Sequence, residues 1–483
     1  MSTPATRTTA TAFLYRFLRH PPRRPVSNGF VRKVETLESH APVAAAYAPS
    51  GSLLGALALI LAAAYVFAWL ARRVRQPVVV GEIVAGIALG PSVLGLFPGD
   101  LVDLAFPADV RPCLQVLAQL GLVLFMFDVG YHFDSSRLKG HGRQVMAVSL
   151  SSVALPFALG AGLACAIAPW FDRSAMTADG LLVPALFLGA AMSITAFPVL
   201  ARIIGERGLQ QDRIGAMALA CAAIQDFLAW TVLAVVVALA NSTGAGPLLR
   251  MAVASVALLV GLHYVVRPAL TWLFAPERRR AGSALTQAVL VVGLLLSAWT
   301  TEAIGLQAVF GAFAFGAIVP RARIDATAPQ VPERLEQISL FLLPVFFIVT
   351  GLSVNLGGLG GPGLLLLLAV LLVACFGKFV GAASAARLTG ATQREAAALG
   401  VLLNARGLTE LVILNVGLAL GVLDSRLFTA MVVMAVVTTI MTGPLLDRFH
   451  PTAGTLSVRS VEATRTSTAK TDRGLVPSQD DTT

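Results

Sequence analysis

In this chain of 483 residues, 56% are hydrophobic and only 13% charged, at a mean hydropathy of +0.78, which leaves too few charges to cover a soluble surface of that size. The apolar runs recur at spans of about 20 residues, the length a helix needs to cross about 30 Å of hydrocarbon, and not as the short alternating segments of a barrel. The formal charge of +10 reads as loop bias on the cytoplasmic side of a polytopic membrane protein, not as nucleic-acid affinity.

Residues 1–51 form a basic tail, densest at "RFLRHPPRRP", with no continuous apolar stretch leading to a cleavage site. It is expected to be a disordered tail and not a signal peptide. About thirteen apolar segments follow, at 53–70, 78–97, 114–131, 145–170, 181–204, 214–240, 248–266, 284–300, 304–320, 338–356, 364–386, 396–422 and 427–446. They define a transmembrane domain over 52–447, and residues 448–483, rich in Ser, Thr and charge, read as a disordered cytoplasmic tail. Loops after the odd-numbered segments, such as "ARRVRQ", "PERRR" and "RLTGATQRE", are basic, whereas "FPGDLVDLAFPAD" and "GGLGGPG" are acidic or neutral. That pattern puts the carboxyl terminus in the cytoplasm and the amino terminus outside. The basic amino-terminal tail runs against it, and the consistent loops outweigh it.

Few ionisable side chains remain well inside the spans: Glu82, Asp128, Asp226, Lys378, Arg406 and Glu410. Such a charge costs a few kcal/mol at mid-bilayer, so it faces a partner or a water-filled cavity. Arg406 and Glu410 are four apart and can neutralise each other on one helix face. Asp226, in "CAAIQDFLAW", and Lys378 have no opposite charge within reach on their own helices. Cys113, Cys165, Cys221 and Cys375 fall in apolar runs without CxxC or HxxxH spacing, so neither a disulfide framework nor a paired metal site is expected.

The fifth and twelfth segments are poor continuous helices. "AMSITAFPVLARI" sets Ser193, Thr195 and Pro198 in mid-membrane, and "LLNARGLTELVILN" sets Asn404, Arg406, Gly407 and Thr409 there. Polar groups and a proline kink can also serve packing alone. The two are seven segments apart, however, so segments 1–6 repeating as 8–13 would place them at corresponding positions, with inverted topology. Paired broken helices at such positions point to a midplane ion site.

"QPVVVGEIVAGIALGPSVLG", "SITAFPVLARII", "TEAIGLQAVFGAFAFGAIVP" and "NARGLTELVILNVGLALGVL" resemble the monovalent cation:proton antiporters of the second large family, over roughly residues 52–447. That group includes bacterial sodium/proton exchangers, Kef-type potassium-efflux systems and plant cation/proton exchangers. The resemblance implies an all-α membrane protein of inverted repeats with two broken crossing helices, a dimer domain and a mobile core domain. It implies a homodimer in a bacterial plasma membrane, whose partners are the lipid bilayer, a monovalent cation and protons, with no cofactor, no nucleic acid and no resident metal.

By position, Asp226 matches the family's ion-binding carboxylate, Ser193 and Thr195 the first crossover, and Asn404 to Glu410, with Arg406, the second. Lys378 matches the basic residue facing the core site, while Glu82 and Asp128 are secondary candidates. A buried carboxylate can hold a proton or a dehydrated cation but not both at full strength, which is an exchange mechanism in itself.

The sequence departs from the family at Gln225–Asp226, where exchangers often carry Asp-Asp or Asn-Asp. Gln–Asp resembles the Kef-type potassium branch, whereas "SITAFPVLAR" resembles the sodium and plant-type branches, so both K+ and Na+ remain open. In "LFMFDVGYHFD", Asp128 and His132 stand where the family has an apolar residue and a Glu, and Asp128 is expected to sit low enough to reach cytoplasmic water. Because Gln225 carries no charge, Lys378 must pair with Asp226, lose its proton or find another acceptor; the favoured reading is a switchable contact to Asp226 that gives electroneutral exchange.

Two alternatives to cation:proton exchange stand beside it. One is a same-fold exporter of another cation or ion-loaded small molecule, and the other a channel-like or sensing protein that does not exchange. No catalytic triad or nucleotide constellation suggests an enzyme.

Overall fold

The computed structural model of the chain describes residues 49–74, 76–167, 181–240, 246–275, 283–354 and 361–449. The expected tails, 1–51 and 448–483, lie outside the described residues but for 49–51 and 448–449. Among the described residues the regular structure is entirely helical.

The first four segments are α1 (Pro49–Arg73), α2 (Val78–Leu89), α3 (Arg111–His132) and α4 (Gly142–Ala166). The fifth is broken into α5 (Leu182–Ser193) and α6 (Phe197–Glu206), and α7 (Arg213–Ala240) follows. The seventh runs as α8 (Gly246–Gly261) and α9 (Arg267–Leu273), joined through a π-helical turn at Leu262–Val266. Then come α10 (Ser283–Ile304), α11 (Ala308–Ile318), α12 (Gln330–Leu352) and α13 (Gly361–Leu388). The twelfth is broken into α14 (Gln393–Leu403) and α15 (Leu408–Ala419), and α16 (Ser425–Phe449) closes the bundle. Eleven of these spans are long and apolar enough to cross a membrane. The shorter α11 and the α14–α15 pair bring the segments to the expected thirteen.

Helix pairing carries the inverted repeat that the two breaks suggested. α2 packs on α12 and α3 on α11, which exchange with each other when segments 1–6 are laid on 8–13. In the same way α4 against α5 matches α13 against α14, and α5 against α7 matches α14 against α16. The first two contacts rest on glycine in the same manner. A Cβ on Gly86 would lie 2.3 Å from Ile348 O, and one on Gly351 2.5 Å from Ile83 O. Across the symmetry-related pair, a Cβ on Gly130 would lie 2.2 Å from Phe313 O and one on Gly316 2.3 Å from Phe127 O. Small residues let backbones approach this closely where lipid offers no hydrophobic drive to pair helices.

Two packed groups result, one of α2, α3, α11 and α12, the other of α4 to α7 and α13 to α16. Outward faces are apolar: on α13, Leu364, Leu368, Leu372 and Phe376, four residues apart, are all more than half exposed and form a lipid-facing stripe.

Candidate functional site

The two broken segments meet backbone to backbone. Ala196 N–H, in the break between α5 and α6, donates to Ala405 O, in the break between α14 and α15, at 3.1 Å. Each break has a local cause. Pro198 is the second residue of α6, where its fixed φ suits a helix start and its missing N–H leaves no bond unmade. At the other break, Gly407 passes so close to α6 that a Cβ there would lie 2.6 Å from Val199 Cγ2.

The crossing leaves four half-helix ends inside the protein, and charged groups answer the two of the first broken segment by sign. Arg406, fully buried, donates through Nη1 to Ala191 O at 3.1 Å and through Nη2 to Met192 O, in the last turn of α5. A cation thus sits at the negative end of a half-helix. Its Nη1 also lies 3.3 Å from Glu410 Oε1, so the expected i,i+4 pair exists as part of a larger cap. Thr439 of α16 secures the loop, accepting from Arg406 N at 3.1 Å and donating to Arg406 O at 2.7 Å.

Asp226 lies halfway along α7 and is wholly buried. It feels the Phe197 amide at the amino end of α6, an anion at the positive end of a half-helix. Apart from that amide, neither carboxylate oxygen meets a hydrogen-bond donor among the described residues, and burying a carboxylate so thinly partnered is costly. The site therefore suits a proton or a cation at those two oxygens.

Lys378, on α13, is equally buried and directs its ammonium elsewhere. Nζ donates to Thr195 Oγ1 at 2.6 Å and to Gln225 Oε1 at 2.9 Å. The Thr195 hydroxyl in turn lies 2.6 Å from Gln225 Oε1 and 2.9 Å from Leu403 O, and its single proton serves one of them at a time. The favoured contact between Lys378 and Asp226 is corrected for this structure: among the described residues no ion pair joins them, and the lysine nitrogen rests on other acceptors. The reason is rotational. Successive residues on a helix point about 100° apart, so Gln225 presents its carbonyl to α13 and Asp226 faces the crossing.

Among the described residues the remaining candidates share no hydrogen bond with Lys378, Thr195 or Gln225. Ser193 is buried but donates to Ala190 O of its own helix at 2.8 Å. Asn404 is buried, with Nδ2 3.8 Å from Cys375 Sγ and Oδ1 unpartnered. Asp128 is in the last two turns of α3, paired with His132 Nδ1 at 3.0 Å.

Glu82 of α2 faces Arg202 of α6 at 3.9 Å, and Arg202 pairs with Glu206 at 2.8 Å. Glu206 Oε2 then accepts from Val78 N–H at 2.6 Å, so a carboxylate on α6 caps the amino end of α2 and ties the two helix groups together. Sequence reasoning passed over Arg202 and Glu206 because they fall at a segment end, where charge needs no explanation. Their i,i+4 spacing was the available signal.

With this geometry in place, similarity to known proteins places the chain. The transmembrane sodium/hydrogen exchanger family matches residues 58–449. The Na(+)/H(+) antiporter NhaS4 of Synechocystis is 38% identical over 409 residues, covering 83% of this chain and 97% of that protein. Cation/H(+) antiporter 18 of Arabidopsis thaliana is 35% identical over 85% of this chain, and the chain spans about half of that protein, 51%. Among solved structures, the sodium proton antiporter MjNhaP1 of Methanocaldococcus jannaschii superposes with a TM-score of 0.58 at 15% identity, over 82% of this chain and 95% of that one. Crossed half-helices, a buried carboxylate beside them and a family match over most of the chain agree: the protein belongs to the transmembrane sodium/hydrogen exchanger family.

Proposed function

We propose that the chain is a secondary active transporter that exchanges a monovalent cation, K+ or Na+, for H+ by alternating access, with Asp226 as the exchange site. One observation carries the reading: a wholly buried carboxylate beside the crossing whose two oxygens, the Phe197 amide apart, meet no hydrogen-bond donor among the described residues. An exporter of a larger cargo would need a cavity at that carboxylate, and a non-exchanging sensor would have no use for a bare one.

Each ligand replaces the other. With a proton on Asp226 the carboxyl group is neutral. A cation arriving from the aqueous side displaces that proton, and the reverse exchange occurs on the opposite side. Thr195, Gln225 and Lys378 hold the wall of the site, Arg406 and Glu410 hold the crossing, and Glu82 and Asp128 lie on the opposing helix group. In this reading Asp226 is the group that changes charge, and one cation replaces one proton.

The same reading takes residues 52–447 as the transport domain of a homodimer in a bacterial plasma membrane, carboxyl terminus in the cytoplasm. Loop charge supports the orientation. The experiment is proton flux in proteoliposomes after addition of K+ or Na+ separately. Flux with at least one supports the reading, and none with either sinks it.

A further inference from the structure

Two cavities on the outer face of the bundle share a wall on α13. One, about 330 Å³, is apolar and lined by Leu372, Cys375, Phe376 and Met441, and it ends on Asn404 at the break of the second crossing segment. The other, about 920 Å³, opens at the end of α13 among Ser384, Arg387, Arg394 and Arg448. Phe379 and Val380 line both, so the two adjoin along α13.

Its chemistry changes along its length. At the inner part Leu372 is 62% and Phe376 61% exposed, on the lipid-facing stripe of α13. At the mouth three exposed arginines come from three elements, α13, α14 and α16. The neighbouring carboxylates are already engaged, Asp447 with Arg207 and Glu395 with Arg213 and Thr392. Among the described residues neither Arg394 nor Arg448 has an ion-pair partner; Arg387 donates one N–H to Ala391 O at 2.8 Å. From Leu372 to Arg387 the helix rises about 22 Å, roughly half of a bilayer with its headgroups.

We propose that this groove binds one anionic phospholipid from the leaflet on the basic side, its phosphate among Arg387, Arg394 and Arg448 and an acyl chain along Phe379 and Phe376 toward Asn404. Guanidinium groups match phosphate oxygens in geometry as well as charge. The occupant reaches the hinge of the α14–α15 break, so lipid composition bears on the element that forms the crossing. The site is separate from the exchange reaction and independent of the cation carried.

The test uses the full chain, purified and delipidated in detergent. Native mass spectrometry counts bound phosphatidylglycerol against phosphatidylcholine. Alkylation of Cys375 by a membrane-permeant maleimide, read at the peptide level, reports occupancy of the inner groove. The expected result is one selective phosphatidylglycerol adduct that slows Cys375 alkylation. Affinity should fall roughly fivefold for each arginine removed, and so roughly 25-fold in Arg394→Gln/Arg448→Gln. Ser384→Trp, which keeps every charge but fills the groove, should lose the adduct as well.

Equal binding of the two lipids overturns the proposal, as does an adduct retained in Ser384→Trp. An inorganic phosphate adduct lost in Arg394→Gln/Arg448→Gln, with no phosphatidylglycerol adduct, would make the mouth a free-anion site and overturn the proposal. Protection that follows protein concentration without lipid would assign the groove to a second copy of the chain, and also overturns it.

Discussion

Lys378 donates to the side-chain oxygen of Gln225 at 2.9 Å, while Asp226, the next residue along α7, takes no hydrogen bond from a side chain among the described residues. The uncharged amide holds the lysine nitrogen, so that the proposed exchange carboxylate is left without it. Replacing Gln225 by Leu removes one of the two acceptors of a buried cation. The loss is expected to cost about 1–3 kcal/mol of stability and to slow exchange as Lys378 turns toward Asp226. Thermal unfolding in detergent and vesicle flux, measured on the same preparation, check both parts.

Arg406 caps the last turn of α5 and neutralises Glu410, both groups fully buried. Arg406→Met alone strands a buried carboxylate and two helix-end carbonyls, and is expected to destabilise by about 3–5 kcal/mol. Arg406→Met/Glu410→Leu removes both charges and should recover part of that loss. Unfolding midpoints of the two single variants and the double variant decide it; a double variant as unstable as the sum of the singles contradicts the pairing.

Gly407 and Val199 define the tightest approach of α15's start to α6. A methyl group on Gly407 would lie 2.6 Å from Val199 Cγ2 and 3.4 Å from Ala196 Cβ. Gly407→Ala is therefore expected to lower stability and transport, by about 1–3 kcal/mol in the first case. Adding Val199→Ala clears the nearer obstacle and should restore much of both. Absence of coupling in that double-mutant cycle would place the two residues apart.

On the proposed one-for-one exchange, Asp226 is the group whose charge changes when a cation replaces a proton. Transport in vesicles with the membrane potential clamped at several values is expected to show no dependence on potential beyond leak, and no net current. A strong dependence would require a second proton carrier, and Lys378 itself would be the first candidate.

Much of the site was legible because its residues have no bland explanation where they stand. Asp226 and Lys378 lie halfway along apolar runs, and Pro198 and Gly407 interrupt two others at matching places. Partnerships were not legible, since they depend on rotation and on distance across the fold. Whether Lys378 meets Gln225 or Asp226 is decided by the turn of α7 relative to α13. The Arg406 cap on Ala191 joins residues 215 apart in the chain, where local spacing suggested only the pair with Glu410. Arg202 and Glu206 were hidden by lying at a segment end, although they link α6 to α2.

The central claim is that one carboxylate carries the exchange, and Asp226→Asn tests it with little change of size. The measurement is cation-driven proton flux in proteoliposomes, run beside the wild-type chain at equal reconstituted amounts, with K+ and Na+ supplied separately. The account predicts that the variant inserts and unfolds at a temperature no lower than wild type, because an uncompensated buried charge has been removed, and that its flux falls to that of protein-free vesicles. Exchange that persists in Asp226→Asn at more than background would contradict it.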